Sequence, residues 1–169
     1  CLRMAVNVSP VQFAQPQFLA QVDEALAQAQ LPPQCLELEI TESVAVMGLE
    51  RVAVLLAQIK ARGIAVAFDD FGTGFSSLSY LDRLPADRLK IDRAFVSVLD
   101  AGGAGARIAE MIVPLGHGLG LQVLAEGVET QAQADLLRQF GCDEVQGYLY
   151  ARPMPFDDFA TWLAARQEA

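Results

Sequence analysis

The 169-residue chain has a single histidine, His117, and three cysteines, Cys1, Cys35 and Cys142. One histidine excludes a histidine-rich metal centre and argues against Ser-His or Cys-His nucleophilic catalysis, which would have to rest on His117 alone. The cysteines lie far apart with no CxxC pair. Their spacing supports neither a zinc knuckle nor a disulfide framework, and Cys35 and Cys142 read as small buried apolar residues. No apolar run approaches the roughly 18 residues of a membrane-spanning helix. No segment is low in complexity, and no Pro/Ser-rich linker divides the chain. Basic residues are few: 12 Lys and Arg stand against 21 Asp and Glu, for a net charge of −9. That balance argues against direct binding of DNA or of an anionic membrane through a basic patch. It leaves room for a phosphate ligand that arrives with divalent cations. What is plentiful is apolar material, 53% of the residues, enough for the core of one domain.

Short runs of period 2 alternate with longer runs of period near 3.6. The strand-like runs cover 2–8, 35–41, 64–70, 88–92, 121–127 and 144–150. Ser9-Pro10 reads as an N-cap followed by proline at the first helical position, with Phe18, Val22 and Leu26 on one later face. Leu49, Val52, Leu56 and Ile59 form the next apolar stripe, and Gly63 is placed to end it. Ile108, Met111, Ile112, Leu115 and Leu119 form another, in which Pro114 should produce a kink. Thr130 can cap a helix ending at Gly141, and 155–166 is a final amphipathic helix. Residues 101–105 read as a short glycine-rich joint. Strand and helix in alternation predict an α/β fold, a parallel TIM-like (β/α) barrel with about six strand–helix units. An open doubly wound sheet is the alternative. A closed barrel needs eight units, so the expectation is a single domain over 1–169 that is N-terminally incomplete, with about two units upstream of Cys1.

Strand parity carries the functional reading. Residues i and i+2 share a face. One parity is apolar: Met4/Val6/Val8, Leu36/Leu38/Ile40, Ile64/Val66/Phe68, Leu89/Ile91, Val123/Ala125 and Val145/Gly147. These suit packing against covering helices. The other parity ends, near the C-terminus of each strand, in Asn7, Glu39, Asp69, Lys90, Glu126 and Gln146. In a parallel barrel those ends meet at one mouth. Asn, Glu and Asp supply hard oxygen ligands with net negative charge, which suits two Mg²⁺ or Mn²⁺ ions and not zinc. Asp69-Asp70 lets one carboxylate bridge two ions while its neighbour serves the second. Lys90 among the acids is either a structural ion pair or a group that stabilises charge on a phosphate. Taken singly, each residue also has a plain structural reading, as turn, cap or paired carboxylate; the coincidence of six at one parity is what points to a site.

The segments Asn7-Val8-Ser9, ELEITES at 37–43, FDDFGTGFSSLSYL at 68–81, LPADRLKID at 84–92, VLAEGVET at 123–130 and CDEVQGYLYARPMP at 142–155 together resemble the EAL-domain cyclic di-GMP phosphodiesterases. The resemblance spans nearly the whole chain, in order. It implies a TIM-like barrel that hydrolyses cyclic di-GMP to linear pGpG with two Mg²⁺ or Mn²⁺ ions, in bacterial second-messenger signalling. By the same resemblance Asn7, Glu39 and Asp69 hold one metal, and Asp69 with Asp70 links to the second. Lys90 contacts the attacking water or the phosphate, and Glu126 is a second-metal ligand or general base. Gln146 completes the site, Pro153 lines a guanine pocket, and Glu42 steadies the Asp-Phe-Gly-Thr-Gly loop that couples the site to dimerisation. The resemblance further implies a homodimer, an upstream sensory or GGDEF-type domain, and a cytoplasmic location for this segment, with any membrane anchor upstream. The strand-borne Glu-Ala-Leu motif of the family is not matched: the one Glu-Ala-Leu in the sequence, Glu24-Ala25-Leu26, lies on the helical stripe that carries Val22 and Leu26. The glutamate of the family's motif is a metal ligand, so the 169 residues alone are expected to be impaired. The alternative to an enzyme is a non-catalytic cyclic di-GMP receptor.

Overall fold

In the computed structural model, which describes residues 2–72, 81–99 and 104–167, six strands build one sheet. They are β1 (Met4–Val8), β2 (Leu36–Thr41), β3 (Ala65–Phe71), β4 (Arg88–Ile91), β5 (Gln122–Ala125) and β6 (Glu144–Val145). All five pairings are parallel and the spatial order is the chain order. Every crossover therefore moves the chain one strand in the same direction, as in a barrel wall. A doubly wound sheet would reverse at a switch point. The helices are α1 (Pro10–Phe13), α2 (Phe18–Ala29), α3 (Leu49–Ala61), α4 (Arg93–Val96), α5 (Ala104–Gly118), α6 (Gln131–Phe140) and α7 (Phe156–Gln167). None of the described helices is long and apolar enough to cross a membrane.

Local chemistry explains the boundaries. Ser9 caps α1 in a reciprocal capping box with Gln12, and Thr130 does the same for α6 with Gln133. Gly141 closes α6 in the left-handed conformation. The first helical pattern divides in two because Pro16, which has no N–H, follows α1; Phe18 N–H donates to Gln15 and starts α2 afresh. Helix α5 runs from Ala104 to Gly118 with Pro114 inside it.

One strand face builds the core. Leu38, Ile40, Val66, Phe68, Leu89, Ile91 and Val123 are buried together with Leu56, Ile59, Val113 and Leu137 from the helices. The expected burial fails at β1, where Met4 is 59% and Val6 41% exposed: this strand is an edge, and no described helix covers its start. The last strand is also shorter than its alternating pattern. It stops after Val145, and the chain turns, Tyr150 N–H bonding back to the Gly147 carbonyl. Cys35 differs from expectation too. It is buried but disulfide-bonded, whereas Cys142 is a free thiol.

Candidate active site

The opposite face carries the polar residues. Glu37, Glu39, Arg88, Gln122, Glu144 and Gln146 line one cleft of about 440 Å³ on this face; Asp69, Lys90 and Glu126 lie beyond it, towards the C-terminal strand ends. β3 is irregular at its C-terminal end. Phe68 is in register with Leu89 and Phe71 with Ile91, so Asp69 and Asp70 together oppose the single residue Lys90. This is a β-bulge, and its second residue, Asp70, has a φ of 55°. Aspartate tolerates this left-handed conformation better than most side chains. Plain alternation would turn Asp70 away from Asp69. Instead, carboxylate oxygens of Asp69, Asp70 and Glu126 all lie within 4.8 Å of one another. Asp70 N–H also donates to Asp69 Oδ1 at 3.1 Å.

Lys90 sits at the centre of this acidic group and is 3% exposed. Its Nζ lies 2.6 Å from Glu39 Oε1, 3.0 Å from Asp69 Oδ1 and 2.6 Å from Glu126 Oε1. Burial works against its charge, but the hydrogen bonds to Glu126, Glu39 and Asp69 outweigh that and hold the ammonium above its ordinary pKa. Burial raises the Glu126 carboxyl, an effect that Lys90 only partly offsets. Burial and then the charge of Asp69, with further contributions from Asp92, raise Asp70. Four carboxylates around one ammonium leave unneutralised negative charge within a few ångströms. Hard oxygen donors in that arrangement fit a divalent cation of the Mg²⁺ or Mn²⁺ type.

The other expected residues take their places around this centre. Asn7 on β1 is in register with Glu39 on β2. Glu42, just past β2, accepts the Gly72 N–H on its Oε1 at 3.1 Å, which ties the chain leaving the bulge to the end of β2. Residues 73–80, most of the loop singled out in the sequence, lie outside the described residues. Gln146 lines the interior cleft and also a second one of about 630 Å³, where Pro153 lies with Tyr148, Tyr150, Met154 and Trp162. Pro153 is thus not among the acids, and Gln146 connects the two spaces. Gly147 lets this happen: a Cβ there would stand 2.1 Å from the Val128 carbonyl oxygen. That close approach lets Val128 N–H reach the Gln146 carbonyl at 3.0 Å. His117 pairs with Asp143 at 2.9 Å near the N-terminal ends of the strands, away from the mouth.

Sequence reasoning missed two participants. Asp92 caps α4 by accepting the Ala94 N–H at 2.8 Å and bonds to Asp70. Arg88 is buried in the cleft below Lys90; its signal was its position two residues earlier on the same strand face.

A family model described as "EAL domain" matches residues 2–153. The chain belongs to the EAL domain family. Its six-stranded parallel arrangement is accordingly that of a TIM-like EAL domain. The bifunctional diguanylate cyclase/cyclic di-GMP phosphodiesterase MucR of Pseudomonas aeruginosa is 45% identical over 161 residues, 95% of this chain and 24% of that protein. The solved PaMucR phosphodiesterase in its c-di-GMP complex superposes with a TM-score of 0.88 at 46% identity, covering 93% of this chain and 64% of that one. A manganese/cy-diGMP complex of BlrP1 from Klebsiella pneumoniae gives a TM-score of 0.80 at 31% identity, over 89% of this chain and 39% of that one. The chain therefore spans about a quarter of the curated MucR sequence.

Proposed function

We propose that this EAL domain takes part in the hydrolysis of cyclic di-GMP to linear pGpG. The observation that carries the reading is the convergence of Asp69, Asp70 and Glu126 beside Lys90, produced by the bulge at the end of β3. Asn7, Glu39 and Asp69 would hold one Mg²⁺ or Mn²⁺ ion, and Asp69, Asp70 and Glu126 the second. Two such ions supply positive charge to a phosphodiester and acidify a bound water. Glu126, whose carboxylate burial makes more basic than usual, takes the proton from the attacking water. The water oxygen forms a bond to phosphorus as one ring P–O bond breaks, and the departing oxygen takes a proton from solvent while Glu126 later returns its own to bulk water. Lys90, held protonated, stabilises negative charge on the phosphate. Gln146 and Pro153 contact the nucleotide from the adjoining cleft, and Glu42 holds the loop through Gly72.

Homodimerisation, a cytoplasmic setting and a GGDEF-type neighbour in the same polypeptide belong to this reading; the bifunctional MucR supports the last. The test is pGpG release from cyclic di-GMP by the complete protein with Mg²⁺ or Mn²⁺. Binding without pGpG release would overturn the enzyme reading and leave a receptor.

A further inference from the structure

Below the acidic mouth, the interior carries a second charged layer that the chemistry above does not use. Arg88 is only 7% exposed, and its guanidinium reaches from β4 to three other strands. Nη1 donates to Glu37 Oε1 on β2 at 3.1 Å, and Nη2 donates to Glu144 Oε1 on β6 at 2.6 Å and to Gln122 Oε1 on β5 at 3.5 Å. Arg3, preceding β1, takes the other oxygen of Glu37 at 3.2 Å. The reach from β4 to β2 crosses β3, which has Ala67 in register with both Glu39 and Arg88. A larger side chain on this face of β3 would stand between them.

The layer is aligned with the one above it. Glu37 precedes Glu39 by two residues, Arg88 precedes Lys90 by two, and Glu144 precedes Gln146 by two. Residues so spaced share a strand face, so whatever fixes the heights of the lower set fixes the starting points of the upper. As a stability device the arrangement is poor. Buried ion pairs gain little over apolar packing, and Arg88 Nε is buried with no hydrogen-bond partner among the described residues. Its use is better sought in geometry.

We propose that Arg88 is a positioning residue: by holding Glu37 and Glu144 it sets β2, β4 and β6 at the relative heights that bring Lys90 onto Glu39, Asp69 and Glu126. Its role in turnover rests on the phosphodiesterase reading, but its effect on Lys90 precedes any metal or substrate. The test replaces both buried partners with apolar residues of similar bulk, R88M/E37M, in the complete protein. The metal-free ¹⁵Nζ signal of the Lys90 ammonium, identified by its loss in K90R, is then followed with the thermal midpoint. The folded double variant is expected to lose the slowly exchanging Lys90 signal. Its kcat should fall by about tenfold or more while KM stays within roughly threefold, the signature of a misplaced group rather than lost binding. R88K keeps the charge but not the fork, so it should lose the same signal. A parent-like Lys90 signal in the folded double variant overturns the proposal. Should the double variant not fold, a parent-like signal in R88K does the same. If the parent protein shows no turnover, the phosphodiesterase reading fails while the Lys90 signal still decides this one.

Discussion

Three carboxylates share the ammonium of Lys90, and removing it exposes what they cost one another. Lys90→Met is expected to destabilise the metal-free protein by about 3–5 kcal/mol, since it leaves buried like charges without a counter-ion. The loss should narrow in saturating Mn²⁺, which offsets the same charges; urea titrations with and without the ion measure both. Asp70 and Glu126 give a pH dependence with a defined sign. Their carboxyls are held above ordinary values, so the folded protein keeps protons that the unfolded chain has already lost. Their contribution to metal-free stability therefore declines as pH rises from the ordinary carboxylate range through the raised folded values. Metal binding needs both groups ionised, so Mn²⁺ affinity should rise across the same interval with proton release, measurable by calorimetry in buffers of different ionisation enthalpy. The free thiol of Cys142 offers a contrast. Burial pushes it up to about 11, so iodoacetamide should label it slowly at pH 7.5 until the protein is unfolded.

Most elements were legible because single residues punctuate them. Thr130, Gln133 and Gly141 mark both ends of α6, and Thr130→Ala should cost about 1 kcal/mol in denaturant melts without changing turnover. Parity correctly put Glu39, Lys90 and Glu126 at one mouth. It could not show Asp70 there, because a bulge breaks the alternation on which parity depends, and its signal is two adjacent acids at the end of an apolar strand. It also overextended β6, where the alternation of Val145, Gly147 and Leu149 reads as strand but Gly147 serves a backbone approach. Gly147→Ala forces a Cβ onto the Val128 carbonyl. It should cost about 1–3 kcal/mol and lower turnover by moving Gln146, seen as a reduced thermal midpoint together with reduced pGpG release. The disulfide at Cys35 had no spacing signal, since three cysteines far apart with no CxxC pair carry none.

At the scale of the molecule, the six strands leave two unlike edges. At β1, Leu2, Met4 and Val6 face solvent; beyond β6, Phe156 on α7 is 78% exposed and Phe159 partly so. These exposed apolar side chains should make the 169-residue polypeptide bind an apolar dye such as ANS and self-associate, which dye fluorescence and light scattering check; a monomer that leaves the dye dark would contradict it. The bulge in β3 has a consequence of its own at this scale. A regular strand can slip along its neighbours in steps, whereas one with an extra residue fits in a single position, so β3 is locked lengthwise by the same irregularity that aims its acids. One residue added before Phe68 would therefore rotate Asp69 and Asp70 out of the mouth, so the aim of the acids depends on the exact length of the strand that carries them.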